Sequence, residues 1–500
     1  MRNFPRDLPH KCSLCLLTTV LSACLPIATE AAEIIDIGDR NQIFIDGRYL
    51  AATRNVRIVA CPPRKTYERC LSGGLRAYET ILPVDGTFRG FHALSKDGAC
   101  WRKVKPGTEP EPDDLVGLYD GDPHPFVDPT APASQRYKLF TANWVKASAD
   151  GAQWQTVAEW MFPSEAYFPR GMDSLNKCFY DQRLGKYVAY VRVNQAYPAP
   201  PDRQAYFDSV SKRNFNREGM YFMRAIGRSV TDDLSRFPMP EVVFQFDEKD
   251  PHFGGVSVLD FYTPEVVPYP HAQDAYFLFT ARYLHYEDWY LSDDLSDYER
   301  HSTGQLNAGA LDIGLAASRD GISWQRFDRK PWIALGPEDG FDSKSLYMCA
   351  GMFTHGSEIW MYYIGYPTLH GGPEPASEKT PTLSRVVLPK DRFTGVEADY
   401  AGGEFSTPPL RFDGKTLQLN IETSAVGLAR VEIQDENGTP LPGYALDDCD
   451  RIHTTNSTDR LVTWRRGNAD VSALAGKAVR LRFELQFGTR LYAFWFPRAE

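Results

Sequence analysis

Ser318-Arg319-Asp320-Gly321-Ile322-Ser323-Trp324 is a phrase that this chain has already used. It occurs earlier as Ser95-Lys96-Asp97-Gly98-Ala99-Cys100-Trp101 and as Ala147-Ser148-Ala149-Asp150-Gly151-Ala152-Gln153-Trp154, and Thr231-Asp232-Asp233 leading to Phe237 is a degenerate copy. Asp-Gly between strand-like runs marks a hairpin turn, and a tryptophan three residues later would pack on the next strand. Aromatic and β-branched runs precede the copies at residues 88–94, 137–144, 187–193 and 275–283, and a fifth lies at 359–366. Polar turns at Asp85-Gly86, 181–185 and His355-Gly356 come just before several of them. The module recurs about five times between residues 76 and 397, with almost no helical periodicity. Internal repetition of short strands at this spacing predicts an all-β chain, a five-bladed β-propeller, with one large β-sandwich as the alternative.

After Gly402-Gly403-Glu404 the pattern changes. Leu417, Leu419 and Ile421 alternate with polar residues, as do Val431 and Ile433, then Val479, Leu481, Phe483 and Leu485. This predicts a small antiparallel β-sandwich over residues 401–500. No aromatic cluster stands out in it, so bracing the propeller is favoured over sugar binding. The propeller is expected over residues 33–400. Residues 1–31 read as an export signal: Arg2, Arg6 and Lys11 precede an apolar stretch with Leu14, Leu16, Leu17, Val20 and Leu21. Cleavage is expected near Ala31, or at Leu21-Ser22-Ala23-Cys24, where Cys24 would carry a lipid anchor. The apolar run is short for a membrane span, and no later segment is a candidate. The mature protein is expected to be extracytoplasmic.

The net charge of −10 argues against a nucleic-acid partner. The cysteines match no zinc spacing, and Cys61 and Cys70 are placed either for a local disulfide or as buried free thiols. His124, His252, His271 and His285 read as polar surface or hydrogen-bonding residues. Asp288, Asp293, Asp294 and Asp297 read as a solvated acidic loop rather than a calcium site. No nucleophile elbow, phosphate loop or dinucleotide fingerprint is present, and no metal or cofactor is expected.

Several phrases carry a resemblance. They are Asp36-Ile37-Gly38-Asp39-Arg40-Asn41-Gln42-Ile43-Phe44-Ile45-Asp46, Asp173-Ser174-Leu175-Asn176, Tyr269-Pro270, and Ala445-Leu446-Asp447-Asp448-Cys449. Nearly all of the mature chain resembles planctomycete-type secreted proteins that are similar to the N-terminal domain of glycoside hydrolase family 32. The resemblance implies a propeller acting on carbohydrate. The chain departs from the family 32 pattern: the Trp-Met-Asn-Asp-Pro-Asn and Glu-Cys motifs are missing, and Val127-Asp128-Pro129 is a partial echo of Arg-Asp-Pro.

Acid and base must therefore be sought among carboxylates that open the modules. Glu79, Asp128, Asp173, Glu265 and Asp342 would form a ring around one pocket, with unequal environments separating a protonated acid from an ionised base. Asp173, Asp128 and Glu265 are the catalytic candidates. Glu79, Asp342, Arg282, Trp144, Tyr262 and Tyr347 are the substrate-binding ones, with Tyr366 as a further stacking residue. Three classes follow: a glycoside hydrolase for a poly- or oligosaccharide, a non-catalytic carbohydrate-binding propeller, and a uronate-polymer lyase with a Tyr or His base and Arg282 neutralising the uronate. Convergent carboxylates in the pocket favour the first, aromatics alone the second, and Tyr or His beside Arg the third.

Overall fold

The computed structural model describes residues 33–83, 91–105, 108–119, 123–167, 172–173, 175–198, 220–253, 256–257, 259–285, 309–371 and 378–498. The export segment with Cys24 and Ala31, and the acidic stretch from Asp288 to Asp297, lie outside them.

The repeated phrase builds the same turn three times. Asp97 Oδ1 accepts from the backbone of Ala99 (2.9 Å) and Cys100 (2.8 Å). Asp150 accepts from Ala152 (2.8 Å) and Gln153 (3.1 Å), and Asp320 from Ile322 (2.8 Å) and Ser323 (2.7 Å). A serine two residues before each aspartate accepts the glycine N–H at 2.9 Å. The three glycines have φ of 71° or 72°, where a side chain is strained. The indoles of Trp101 and Trp154 bond back to the carbonyls of Gly98 and Gly151. The turn also joins modules. Tyr362 Oη donates to Gly98 O at 2.9 Å and Tyr190 Oη to Gly321 O at 2.8 Å, each from a neighbouring module.

These modules form an all-β, propeller-like arrangement with only short 3₁₀ turns among the described residues. Three modules are separate four-stranded sheets. The fourth and fifth share one eleven-stranded sheet, because Leu311 pairs in parallel with Ser345 and Leu311 N donates to Lys344 O. Apart from a two-stranded hairpin of His252–Phe253 and Val256–Ser257, the described residues of this region therefore show four sheets rather than the five separate ones expected. The first sheet is not a simple meander: Val116–Tyr119 lies between Thr80–Pro83 and Phe91–Ser95. Closure uses both ends of the region. Arg64–Lys65 and Leu71–Ser72 pair with Thr382–Pro389 of the last module. Thr80 of the first module bridges Ala350 of the last.

Beyond the modules, a seven-stranded and a six-stranded sheet share one apolar cluster, in which Phe483 of the first lies 6.0 Å from Phe494 of the second. Strands on both sides of Gly402 enter these sheets. Ile35–Gly38 and Ala52–Arg54 join the seven-stranded one, and Val56–Ala60 and Thr394–Ala398 the six-stranded one. Cys61 and Cys70 are both free: Cys61 lies beside Arg490 and Glu397, whereas Cys70 O accepts from Trp101 N at 3.2 Å.

Candidate functional site

Three of the five nominated acids are buried beside a lysine. Glu265 takes the Lys177 ammonium, Asp342 takes Lys65 at 2.7 Å, and Asp128 has Lys138 at 3.3 Å. Each lysine is itself nearly buried, so each charge is matched inside the protein. Burial pushes the Glu265 carboxyl up and the Lys177 ammonium down, outweighing their attraction. Asp342 also accepts from Tyr363 Oη at 2.8 Å. Asp128 accepts from Thr130 and from Tyr187 Oη. Burial acts against its charge, yet these hydrogen bonds and Lys138 hold its carboxyl below the ordinary value. Glu79 is buried, accepts from Arg76 N at 2.8 Å, and together with Glu265 raises the already buried Cys349 thiol.

Asp128 closes its inner strand, His124–Val127, instead of opening a module. Asp173 stands ahead of the inner strand Lys177–Asp181, at the opposite end. His124, expected to be a polar surface or hydrogen-bonding residue, is buried rather than on the surface, and burial and Lys177 hold its imidazole well below the ordinary value.

The other nominated residues divide. Trp144 is part-buried with the Lys146 ammonium 4.7 Å over its ring. Arg282 is clamped by both oxygens of Asp312, at 2.6 and 2.8 Å, and also donates to Arg329 O. It lines a cavity of about 270 Å³ with Phe244, Phe261, Arg326 and Arg329. Arg326 and Arg329 there are likewise paired, with Asp247 and Asp250.

Asp173, Tyr262 and Tyr347 lead to a different gathering. Asp173, its side chain 74% exposed, lies 3.3 Å from the Arg192 guanidinium. Arg192 is itself buried, its N–H held by Asn176 Oδ1 at 2.9 Å. Burial and then Arg224 make its positive charge harder to hold. Arg224 donates both its N–H and Nη1 to Asp260 Oδ2, at 3.1 and 3.0 Å, and its guanidinium lies 5.0 Å from the Tyr262 ring and 5.2 Å from that of Tyr283. Burial opposes the Arg224 charge, but Asp260 and the tyrosines keep it above its ordinary value. Tyr78 Oη donates to Tyr262 Oη at 2.6 Å, and Tyr347 Oη shares a 2.5 Å hydrogen bond with His370 Nδ1. The rings of Tyr262 and Tyr347 are 6.4 Å apart, and Tyr366 lies 5.7 Å from Tyr347. Burial raises the Tyr262 and Tyr347 hydroxyls, so both stay protonated at neutral pH. A cavity of about 170 Å³ opens beside Tyr347, Tyr366, His370 and Lys379.

Of the residues nominated from sequence, the structure brings Asp173, Tyr262, Tyr347 and Tyr366 together, and with them Arg192, Arg224, Asp260, Tyr78, Tyr283 and His370, which were not nominated. The available signal was a charge inside an apolar strand: Arg192 after 188–191, Arg224 between Met223 and Ala225, Asp260 between Leu259 and Phe261. Among the described residues, no group of three His, Cys, Asp or Glu could hold a metal, and no helix is long and apolar enough to cross a membrane.

No family model and no curated protein matches the chain. Among solved structures the chain is similar to a glycoside hydrolase (10% identity, TM-score 0.35, covering 71% of this chain and 92% of that one). It is also similar to a β-1,2-mannobiose phosphorylase from Listeria innocua (12%, 0.34, 74% and 94%). A third is an N-acetylgalactosamine deacetylase from F. plautii in complex with blood group B trisaccharide (12%, 0.33, 72% and 96%). Likenesses this distant carry no functional argument.

Proposed function

We propose that this is an exported carbohydrate-active protein that cleaves an acidic polysaccharide by β-elimination. The observation that carries the reading is the convergence of Arg192 and Arg224 on Tyr262, whose ring neighbours Tyr347 and His370 line a cavity. An arginine opposite a uronate carboxylate makes the proton on the adjacent carbon easier to remove. With His370 Nδ1–H donated to Tyr347 Oη, its Nε2 takes that proton; the electron pair forms a carbon–carbon double bond as the glycosidic carbon–oxygen bond breaks. Tyr262 supplies a proton to the departing oxygen, so one chain becomes a new reducing end and an unsaturated sugar.

Paired-carboxylate hydrolysis is the second reading, favoured by one observation: Asp173 is an exposed carboxylate in the same place. The test is a panel of uronate-containing and neutral polysaccharides. Reducing ends with ultraviolet absorbance of the unsaturated product support elimination; reducing ends alone support hydrolysis; neither overturns both.

Export, cleavage near Ala31 or lipidation at Cys24 belong to the same proposal, with N-terminal sequencing of the mature protein as their test. We also read the eleven-stranded sheet as two blades joined at one parallel bridge, and the last two sheets as a sandwich that braces them.

A further inference from the structure

Tryptophan 160 is 67% exposed and has a φ of +51°. Glycine or asparagine meets a left-handed turn at lower cost, and a bulky residue there is strained. The position is nonetheless fixed. Its N–H donates to Asn143 O at 2.8 Å. The Tyr167 ring stands edge-on at 5.5 Å, and Tyr167 Oη donates to Ala142 O at 2.8 Å. Met161 and Phe162, the next two residues, enter an apolar cluster that also holds Ala142 and Met172, the neighbour of Asp173. The chain therefore turns sharply at Trp160, leaving the indole outside while its successors pack. Core packing does not account for an indole that is two-thirds in water.

From this geometry we infer that Trp160, backed by Tyr167, is a stacking platform for a sugar ring of the polysaccharide, outside the cluster at Arg192. The inference rests on the carbohydrate reading above. A rigid indole face matches the apolar C–H face of a pyranose. The exposed polar side chains nearby in sequence and register, Asn143 and Glu159, suit its hydroxyls.

The test uses Trp160→Asn, which suits the left-handed backbone, and Trp160→Phe, which keeps an aromatic face. Affinity electrophoresis in gels containing the polysaccharide reads binding, and thermal melting reads the fold. Trp160→Asn is expected to weaken binding about tenfold with a melting temperature equal to or above that of the native protein, and Trp160→Phe to recover most of the affinity. Native protein that binds, with Trp160→Asn binding equally well, overturns the platform and leaves the carbohydrate reading standing. A drop in melting temperature that matches the lost affinity also overturns it, because the indole is then structural. Native protein that binds none of the acidic or neutral polysaccharides overturns both.

Discussion

Glutamate 265 is where a structural and a catalytic carboxylate give opposite results. Its side chain is fully buried and carries the Lys177 ammonium, with the His124 imidazole close to that lysine. Glu265→Gln keeps the shape and removes the charge, leaving a buried ammonium without its counter-ion. Breaking a buried pair from one side costs about 3–5 kcal/mol. For a folded unit of this size one kcal/mol moves the midpoint by roughly 2 °C, so the expected fall is about 6–10 °C. Lys177→Met with Glu265→Leu replaces both charges by apolar groups and is expected to recover most of the loss, since a paired replacement avoids the orphaned charge. Calorimetric melting of the two variants and the native protein at neutral pH reads this. Turnover is measured well below each midpoint, so that only folded protein is compared. Glu265→Gln melting within about 1 °C of native while losing about three decades of turnover would refute the structural assignment and return Glu265 to catalysis.

Other outcomes follow from the same geometry. Because the folded Asp128 carboxyl lies below its ordinary value, the folded state binds fewer protons; its stabilisation is present above about pH 4 and lost as pH falls through the lower folded value, and Asp128→Asn should flatten that part of the stability–pH curve. Gly321→Ala should cost at least about 1–2 kcal/mol, because φ is +72° and a Cβ would meet Tyr190 Oη. Gly356→Ala, at φ +61° with open space around it, should cost less in the same melting assay. His370→Ala should lower turnover about 100-fold or more with little change in melting, and an unaltered rate would remove His370 from the reaction.

The turns were legible because their chemistry is local. Asp97, Asp150 and Asp320 each bond to residues within three positions, the serine two before and the backbone two and three on, so the phrase carries its own geometry. The inner strands were harder to read. His124–Val127 and Glu265–Pro268 are four residues long and contain a proline, which a central strand would exclude. An inner strand is an edge strand, and proline is tolerated there. Missing His124–Val127 placed Asp128 at the wrong end of its module. The ring of carboxylates failed for a different reason. A sequence displays an acid but not its counter-ion: Lys177 is 88 residues from Glu265, and Lys65 is 277 from Asp342. A charge in an apolar strand must be paired within the protein or turned towards water, and strand patterning does not choose between these. What chooses is the partner. Glu265, Asp342 and Asp128 meet buried lysines and are closed off, whereas buried Arg192 meets Asp173, which faces solvent. A ligand anion can compete with an exposed carboxylate for that guanidinium, and it cannot reach the closed pairs. This makes Arg192, which the sequence reading passed over, a better marker of the candidate site than the buried acids Glu265, Asp342 and Asp128.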